Sequence, residues 1–477
     1  MQRALALALV LALAALPTAA QDRPLPSSGL RFAAGGADWV VGIDANLYYY
    51  AMRGTWWGLA SLAAPDFDTD RSYAELWLMP RVDARWDLGG GQRLRGGLSL
   101  GITQDVGSNA FDERNQGTAR LEQAWLGWQG DLSEGWRAEL SAGSQDFMLG
   151  TGMLIYAGGG NGAEWGNAAS SKRTAWRFAG VAGLAYGELN ARAFWLDPNE
   201  VPSLDTGTRI AGVALDWTNA RDGKAGLAYL WVPESNYAYP GSAAPFAFIL
   251  DGRDGMRVLH GWSELTGLFG AMPALSLRAE FALERSEVTR INGQRDPLRA
   301  GAGYLGASWW FRTLPFAPKL TYGYAYFSGD KPGTTTYERF DPLYWGNGLD
   351  NWWFGANGAY GFLNSNLKFQ RVTLDAFLSP QDILKLQFVR ADAAQLNSPI
   401  QFGQAVRFAA GQAVPTVGVD SSHLTDEWTL QAVHVFQPSV VFSAYVTHSR
   451  PGAGFRDLAG AQSQSWTTIG MGLTLSY

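Results

Sequence analysis

Apolar and polar residues alternate along most of this chain with a period of two. In the last stretch, SWTTIGMGLTLSY at 465–477, Ile469, Met471, Leu473, Leu475 and Tyr477 fall on one side of an extended strand. Thr468, Gly470, Gly472, Thr474 and Ser476 fall on the other, because successive strand side chains point to opposite faces. One such run also suits a half-buried strand of a soluble sandwich. Eighteen of them do not. They cover about 39–51, 73–87, 93–105, 118–129, 136–146, 172–184, 188–196, 208–218 and 224–233, then 257–267, 274–286, 299–311, 319–328, 366–378, 383–390, 425–436, 440–448 and 464–477.

The connections between these runs alternate in length. Leu88 to Gln92, Tyr186-Gly187, Ser379 to Asp382 and Gln437 to Ser439 are short, whereas 52–72, 147–171, 234–256, 329–365 and 391–424 are long. An even number of strands joined by tight turns at one end and long loops at the other predicts an all-β fold, a transmembrane antiparallel β-barrel. In that reading both termini are periplasmic. The final strand puts its apolar side to lipid, and its terminal aromatic, Tyr477, offers the mark that outer-membrane assembly machinery reads.

The first residues agree with export. Arg3, the apolar run Ala4 to Leu16 and the small residues Pro17 to Ala20 read as a signal peptide over 1–20, leaving 21–477 as the barrel of a Gram-negative outer membrane. No other stretch is long and apolar enough to cross a membrane as a helix. The chain has no Cys, which removes disulfides, thiol nucleophiles and Cys-ligated zinc. Its 21 Trp, 18 Tyr and 24 Phe suit the aromatic girdles of a barrel in contact with outer-membrane lipid and lipopolysaccharide.

Alternation also assigns the lumen. Opposite the apolar sides lie Glu75, Arg81, Asp83, Arg85 and Asp87, then Arg93, Arg95, Arg137, Glu139 and Arg192. Ser276, Arg278, Glu280 and Glu284 follow, with Arg299, Lys319, Arg371, Asp375 and Lys385, and Arg173 and Arg177 are placed with them. The run RLEQAWLGW is ambiguous, because Leu121 with Trp125 and Leu126 with Trp128 compete for the lipid side. The whole chain is acidic at net -6, yet these inward positions favour cations, and 31 of its 37 basic residues are Arg. A ring of permanently charged forks inside a pore favours anions. Arginine–carboxylate ladders that brace the wall give the same pattern.

Three stretches resemble the alginate-export family of outer-membrane proteins: RLEQAWLGWQG at 120–130, GSQDFMLGTGMLI at 143–155 and YERFDPLYWGNG at 337–348. The resemblance implies a barrel of this strand number that passes an anionic exopolysaccharide through a basic constriction. It implies wall or constriction roles for Arg120 with Glu122 and for Gln145 with Asp146. The chain departs from the family where a more typical Gly-Arg-Gln is Gly143-Ser144-Gln145, and where the turn Gln437 to Ser439 is too short for a plug.

No catalytic reading reaches the same strength. His423 near Asp420 and Asp426 matches no metal-ligand spacing, His434 lacks a recognisable Ser motif, and AGGGNG at 157–162 lacks the strand and helix of a phosphate loop. Trp345, Trp352, Trp353 and Phe354 suit an aromatic girdle or a stacking surface for sugars. The sequence thus predicts a non-enzymatic passive channel with no cofactor and no nucleic-acid partner, for anionic saccharides or related organic anions. A general or carboxylate-uptake porin predicts instead a long inward-folded loop, at 147–171 or 391–424. A hydrolase or adhesin predicts a closed lumen.

Overall fold

The computed structural model describes residues 25–62, 66–111, 115–159, 173–202, 205–240, 248–268, 270–290, 292–346, 355–400 and 418–477. The signal-peptide stretch, and Trp352, Trp353 and Phe354, lie outside these residues. Eighteen wall strands follow one another in chain order. They are β1 Ala37–Arg53, β2 Arg71–Gly89, β3 Gln92–Gly107, β4 Gly117–Ser133, β5 Trp136–Asp146, β6 Ala175–Tyr186, β7 Leu189–Asp197, β8 Arg209–Asn219 and β9 Gly223–Glu234. The second half holds β10 Arg257–Thr266, β11 Leu275–Arg290, β12 Arg295–Trp310, β13 Lys319–Phe327, β14 Leu367–Phe377, β15 Asp382–Ala393, β16 His423–Gln437, β17 Val440–Pro451 and β18 Trp466–Ser476.

All neighbours are antiparallel, and the sheet closes because β1 pairs with both β2 and β18, with Asp44 opposite Ser476 and Arg53 opposite Thr467. Closure leaves no wall edge unpaired, which a sheet in lipid requires. Tyr477 finishes the seam by exchanging two backbone bonds with Ile43, at 2.8 and 2.9 Å. The first described residues and the C-terminus therefore sit at the short-turn end. There Leu30–Ala34 folds back on Ala37 to Val41, and Ser28 accepts Arg81 through its carbonyl and hydroxyl at 3.1 and 2.8 Å.

The outer face carries large exposed apolar side chains on strand after strand, such as Leu47, Leu98, Leu126, Leu215, Leu305 and Met471. The ambiguity at RLEQAWLGW has a physical cause. Opposite β3, Ser99 pairs with Gln123 but Leu100 pairs with Leu121, so Glu122 is an extra bulged residue. The bulge switches parity, and Leu121 and Leu126 both face outward, five residues apart.

The inside of the long-loop half is packed rather than open. A 3-10 turn at Thr55–Leu62 and two short helices, α1 Gly358–Gly361 and α2 Ala453–Ala459, fold into the barrel. Trp57 meets Trp466 and Phe455 at 5.0 Å each, and Trp56 meets Phe111 at 5.5 Å. Trp56, Trp57, Trp77, Trp176 and Trp466 are fully buried, so the abundance of Trp is not only a matter of girdles. Gly355 shows how tightly one inserted segment sits: its φ is +86° and an added Cβ would fall 1.9 Å from Glu427 Oε1. The Asn357 and Gly358 amides donate to that same carboxylate at 3.3 and 3.2 Å.

Candidate functional site

The lumen is built from inward strand positions and the loops that fold onto them. Along the short-turn half, an ionic belt crosses neighbouring strands. Arg192 on β7 pairs with Asp216 on β8 at 2.7 Å. Glu264 on β10 takes Lys224 from β9 at 3.3 Å and Arg278 from β11 at 3.4 Å. The Arg278 guanidinium lies 5.5 Å from the Tyr304 ring. That ring covers Gly306 and Gly323, and Arg371 lies opposite Gly323 on β14. In register beside it, Asp375 stands between Lys319 and Lys385.

On the other side of the belt, Arg81 holds Asp44 and Asp83 at 3.1 and 3.2 Å, and Arg85 holds Asp38 at 2.7 Å. Arg95 donates to Gln129, which stands opposite both Arg93 and Glu139. Arg137 lies 3.6 Å from Asp131 at the turn. Much of the cationic excess read from the sequence is therefore answered by carboxylates across the wall. In this half the ladders brace as well as line.

Higher up, the bulged Glu122 is buried and accepts Arg173 Nε and the Ala175 amide, each at 3.2 Å. Burial lowers the Arg173 guanidinium below its ordinary pKa, while Glu122 acts against that shift. Asp146 accepts Gln123 and Thr174 at 2.8 and 2.7 Å, and Gln145 donates to the Ala179 carbonyl at 2.8 Å. These four hold the root of the loop after β5. Arg120, next to this pair on the inner face, is exposed and leans on Thr118 at 3.0 Å.

Two placements differ from the alternation reading. Arg299 lies on the outer face: its neighbours Leu298 and Ala300 are buried inside, and Leu305, of the same parity as Arg299, is 65% exposed. Arg177 sits at the rim beside the register shift between β5 and β6. It is 40% exposed and bonded to Asp197 and Asp205 at 2.8 and 2.9 Å.

The loop after β5 folds inward over its described part. Leu149, Met153, Leu154 and Ile155 are fully buried, and Thr151 bonds to Glu280 on the wall, which also takes His260 at 2.7 Å. Gly150 permits this approach, with φ at +58° and Glu280 Oε1 only 2.7 Å from where a Cβ would stand. Ile155 bridges Tyr344, which joins this loop to the one after β13.

That second loop carries a latch the sequence reading missed. Asp341 receives Arg253 at 2.6 and 2.9 Å, the Leu343 amide at 2.8 Å and the Tyr239 hydroxyl, while its own amide donates to Glu284 at 3.0 Å. Arg253 also lies 3.7 Å from the Tyr237 ring. Burial alone would raise the Asp341 carboxyl, but the Arg253 fork outweighs it and holds the group below the usual carboxylate range. Asp341 belongs to YERFDPLYWGNG, so the signal was present there. Its partner Arg253, in a separate long loop, had none.

The hydrolase candidate at His434 does not form a triad with the serine beside it. Asp382 lies between Ser379 Oγ at 2.5 Å and His434 Nδ1 at 2.7 Å, so the hydroxyl meets the carboxylate and not the imidazole it would need as base. His423 is flanked by Asp392 and Asp426 at 3.4 and 3.2 Å, and no metal-holding cluster occurs among the described residues.

No protein-family model and no curated protein sequence matches the chain. Solved structures that it matches include OccK11 (OpdR) of Pseudomonas aeruginosa, at 15% identity, covering 92% of this chain and 95% of that chain, with a TM-score of 0.49. A BenF-like porin from Pseudomonas fluorescens Pf-5 matches at 10% identity over 92% and 99%, also at 0.49. Acinetobacter baumannii OccAB2 matches at 8% identity over 92% and 98%, again at 0.49. The resemblance to the alginate-export family is overturned by these findings, since no family model supports it and the matched structures are Occ and BenF-like porins. The stretches that carried it are the Glu122 bulge, the inward GTG loop and the Asp341 latch, all places where loops fasten to a barrel wall.

Proposed function

We propose that this chain is a passive channel of a Gram-negative outer membrane that admits small organic anions, carboxylates above all, with its long loops outside and both termini in the periplasm. The observation that carries the reading is the inward packing of the loops. The segments around Trp57, Leu154, Asp341 and Phe455 fill much of the long-loop half, which favours a small solute over a polymer. Inward arginines on the wall, with Arg120 exposed beside the Arg173–Glu122 pair, supply the attraction for anions. The role is transport down a gradient, without catalysis.

Swelling of liposomes carrying the refolded protein tests this. Small carboxylates are expected to enter faster than uncharged sugars of similar size, and long uronate chains are expected not to enter. Equal rates for sugar and carboxylate would defeat the anion reading, and passage of long chains would defeat the narrow one.

A further inference from the structure

Three arginines stand side by side on the outside of the barrel. Arg257 on β10 is opposite Arg285 on β11, and Arg285 is opposite Arg299 on β12. All three are exposed and share the parity of the outward residues Leu259, Leu283 and Leu305. Like charges directly opposite one another destabilise a sheet. Glu287 and Glu338 are the nearby carboxylates, yet none of the three arginines forms an ion pair among the described residues. Trp231, opposite Arg257, continues the row with a half-exposed indole.

The height of the row is informative. On β11 the outward residues Leu275, Leu277, Ala279, Phe281 and Leu283 are apolar, and the next outward residue is Arg285. The eight steps from Leu275 to Leu283, at about 3.4 Å each, span roughly 27 Å along the strand, or about 21 Å across the membrane at a usual tilt. The arginines thus lie where a lipid-facing band of about 25 Å ends, at the long-loop side.

Below Arg299 runs a trough of about 710 Å³ on the outer wall. Its floor is Gly301 and Gly303, with Phe281 and Leu283 on one flank and Tyr326 on the other. Several glycines of the inner wall are covered by an aromatic ring, as Gly472 is by Tyr48. At Gly303, by contrast, an added Cβ would meet nothing nearer than 3.9 Å. The Phe281 ring turns the other way, over Gly261. At the upper end of the trough stands exposed Lys331.

We propose that this face binds a phosphorylated acyl-saccharide of the outer leaflet, of the lipid A class, with a phosphate on Arg257, Arg285 and Arg299 and an acyl chain in the trough over Gly303. A row of cations at the headgroup level supplies two-point partners for phosphate oxygens. An unfilled apolar channel directly beneath supplies the place for a chain. A free anion would use the first and leave the second empty.

The test is retention of lipid by the refolded full chain in detergent, read by native mass spectrometry after gel filtration. Bisphosphorylated lipid A, its dephosphorylated form and phosphatidylethanolamine are offered in turn. The wild type is expected to keep the bisphosphorylated form alone. Joint Arg257→Ser, Arg285→Ser and Arg299→Ser is expected to lower retention by about tenfold or more, the scale of one lost charge-assisted contact. Gly303→Leu, which keeps every charge and fills the trough, is expected to lower it as well. Heat-modifiable gel migration shows that each variant is folded. Equal retention by the variants, equal retention of the dephosphorylated form, or complete displacement by inorganic phosphate would each overturn the proposal. Binding in detergent depends on neither conduction nor orientation, so its failure leaves the proposed channel function standing.

Discussion

Replacing Asp341 with alanine removes the acceptor of two Arg253 bonds, one Leu343 amide bond and the Tyr239 hydroxyl at once. Arg253 is 4% exposed and keeps the Tyr237 ring at 3.7 Å and one hydrogen bond of 3.4 Å to the Leu343 carbonyl, but no carboxylate partner, so it becomes a buried charge without its counter-ion. Breaking a buried pair in this way costs about 3–5 kcal/mol. The loss falls on loops 235–256 and 328–346, which the latch joins, and not on the hydrogen-bonded wall. Their opening equilibrium is expected to shift by roughly a hundredfold to several thousandfold. Limited proteolysis reads this directly at low protease, where cleavage tracks the open population. Asp341→Ala is expected to be cut in these loops faster by that factor, with unchanged gel migration of the barrel. Cleavage at the wild-type rate would refute the latch. The pH profile has a fixed sign. The folded pKa lies below the unfolded value of about 3.9, so the latch is complete above that value and is lost as pH falls through the folded pKa. Loop opening below about pH 4, and not between about 5 and 8, is expected.

Other outcomes follow from the same geometry. Trp57→Ala removes a fully buried indole bonded to Ser449 at 3.0 Å, and is expected to cost the inward-packed loops about 3–5 kcal/mol and to raise single-channel conductance. Gly150→Ala forces a left-handed φ of +58° and a Cβ contact of 2.7 Å on Glu280, so about 1–3 kcal/mol of strain should displace the inward loop and enlarge the conductance step. Asp216→Ala strands Arg192, which is 2% exposed, and is expected to lower the temperature of heat-modified migration without changing loop cleavage.

Much of the wall was legible because lipid demands a strict pattern. A strand in a membrane must show an apolar face to lipid, so each of the eighteen runs carried its own signal. The pattern fails where the inside is apolar too. On β12, RAGAGYLGASWW at 299–310 places Ala300, Ala302 and Tyr304 inward, and small residues on both faces hid which side Arg299 belonged to. Around Glu122 the bulge broke the parity count itself. The loops were legible only as lengths. That TWWG in the loop after β1 would turn inward depends on left-handed φ values of 63° and 55° at Trp56 and Trp57, held by Trp466, Phe455 and Phe111 from distant segments. The Arg253–Asp341 latch joins residues 88 positions apart, and no local pattern announces such a pair.

Reversal potential of the refolded protein in a planar bilayer under a potassium chloride gradient tests the central claim most directly. An anion-selective value is expected, shifting toward cations in Arg120→Glu, whose side chain is exposed on the inner face. A cation-selective wild type, or a folded barrel with no conductance at all, would contradict a passive channel for small organic anions.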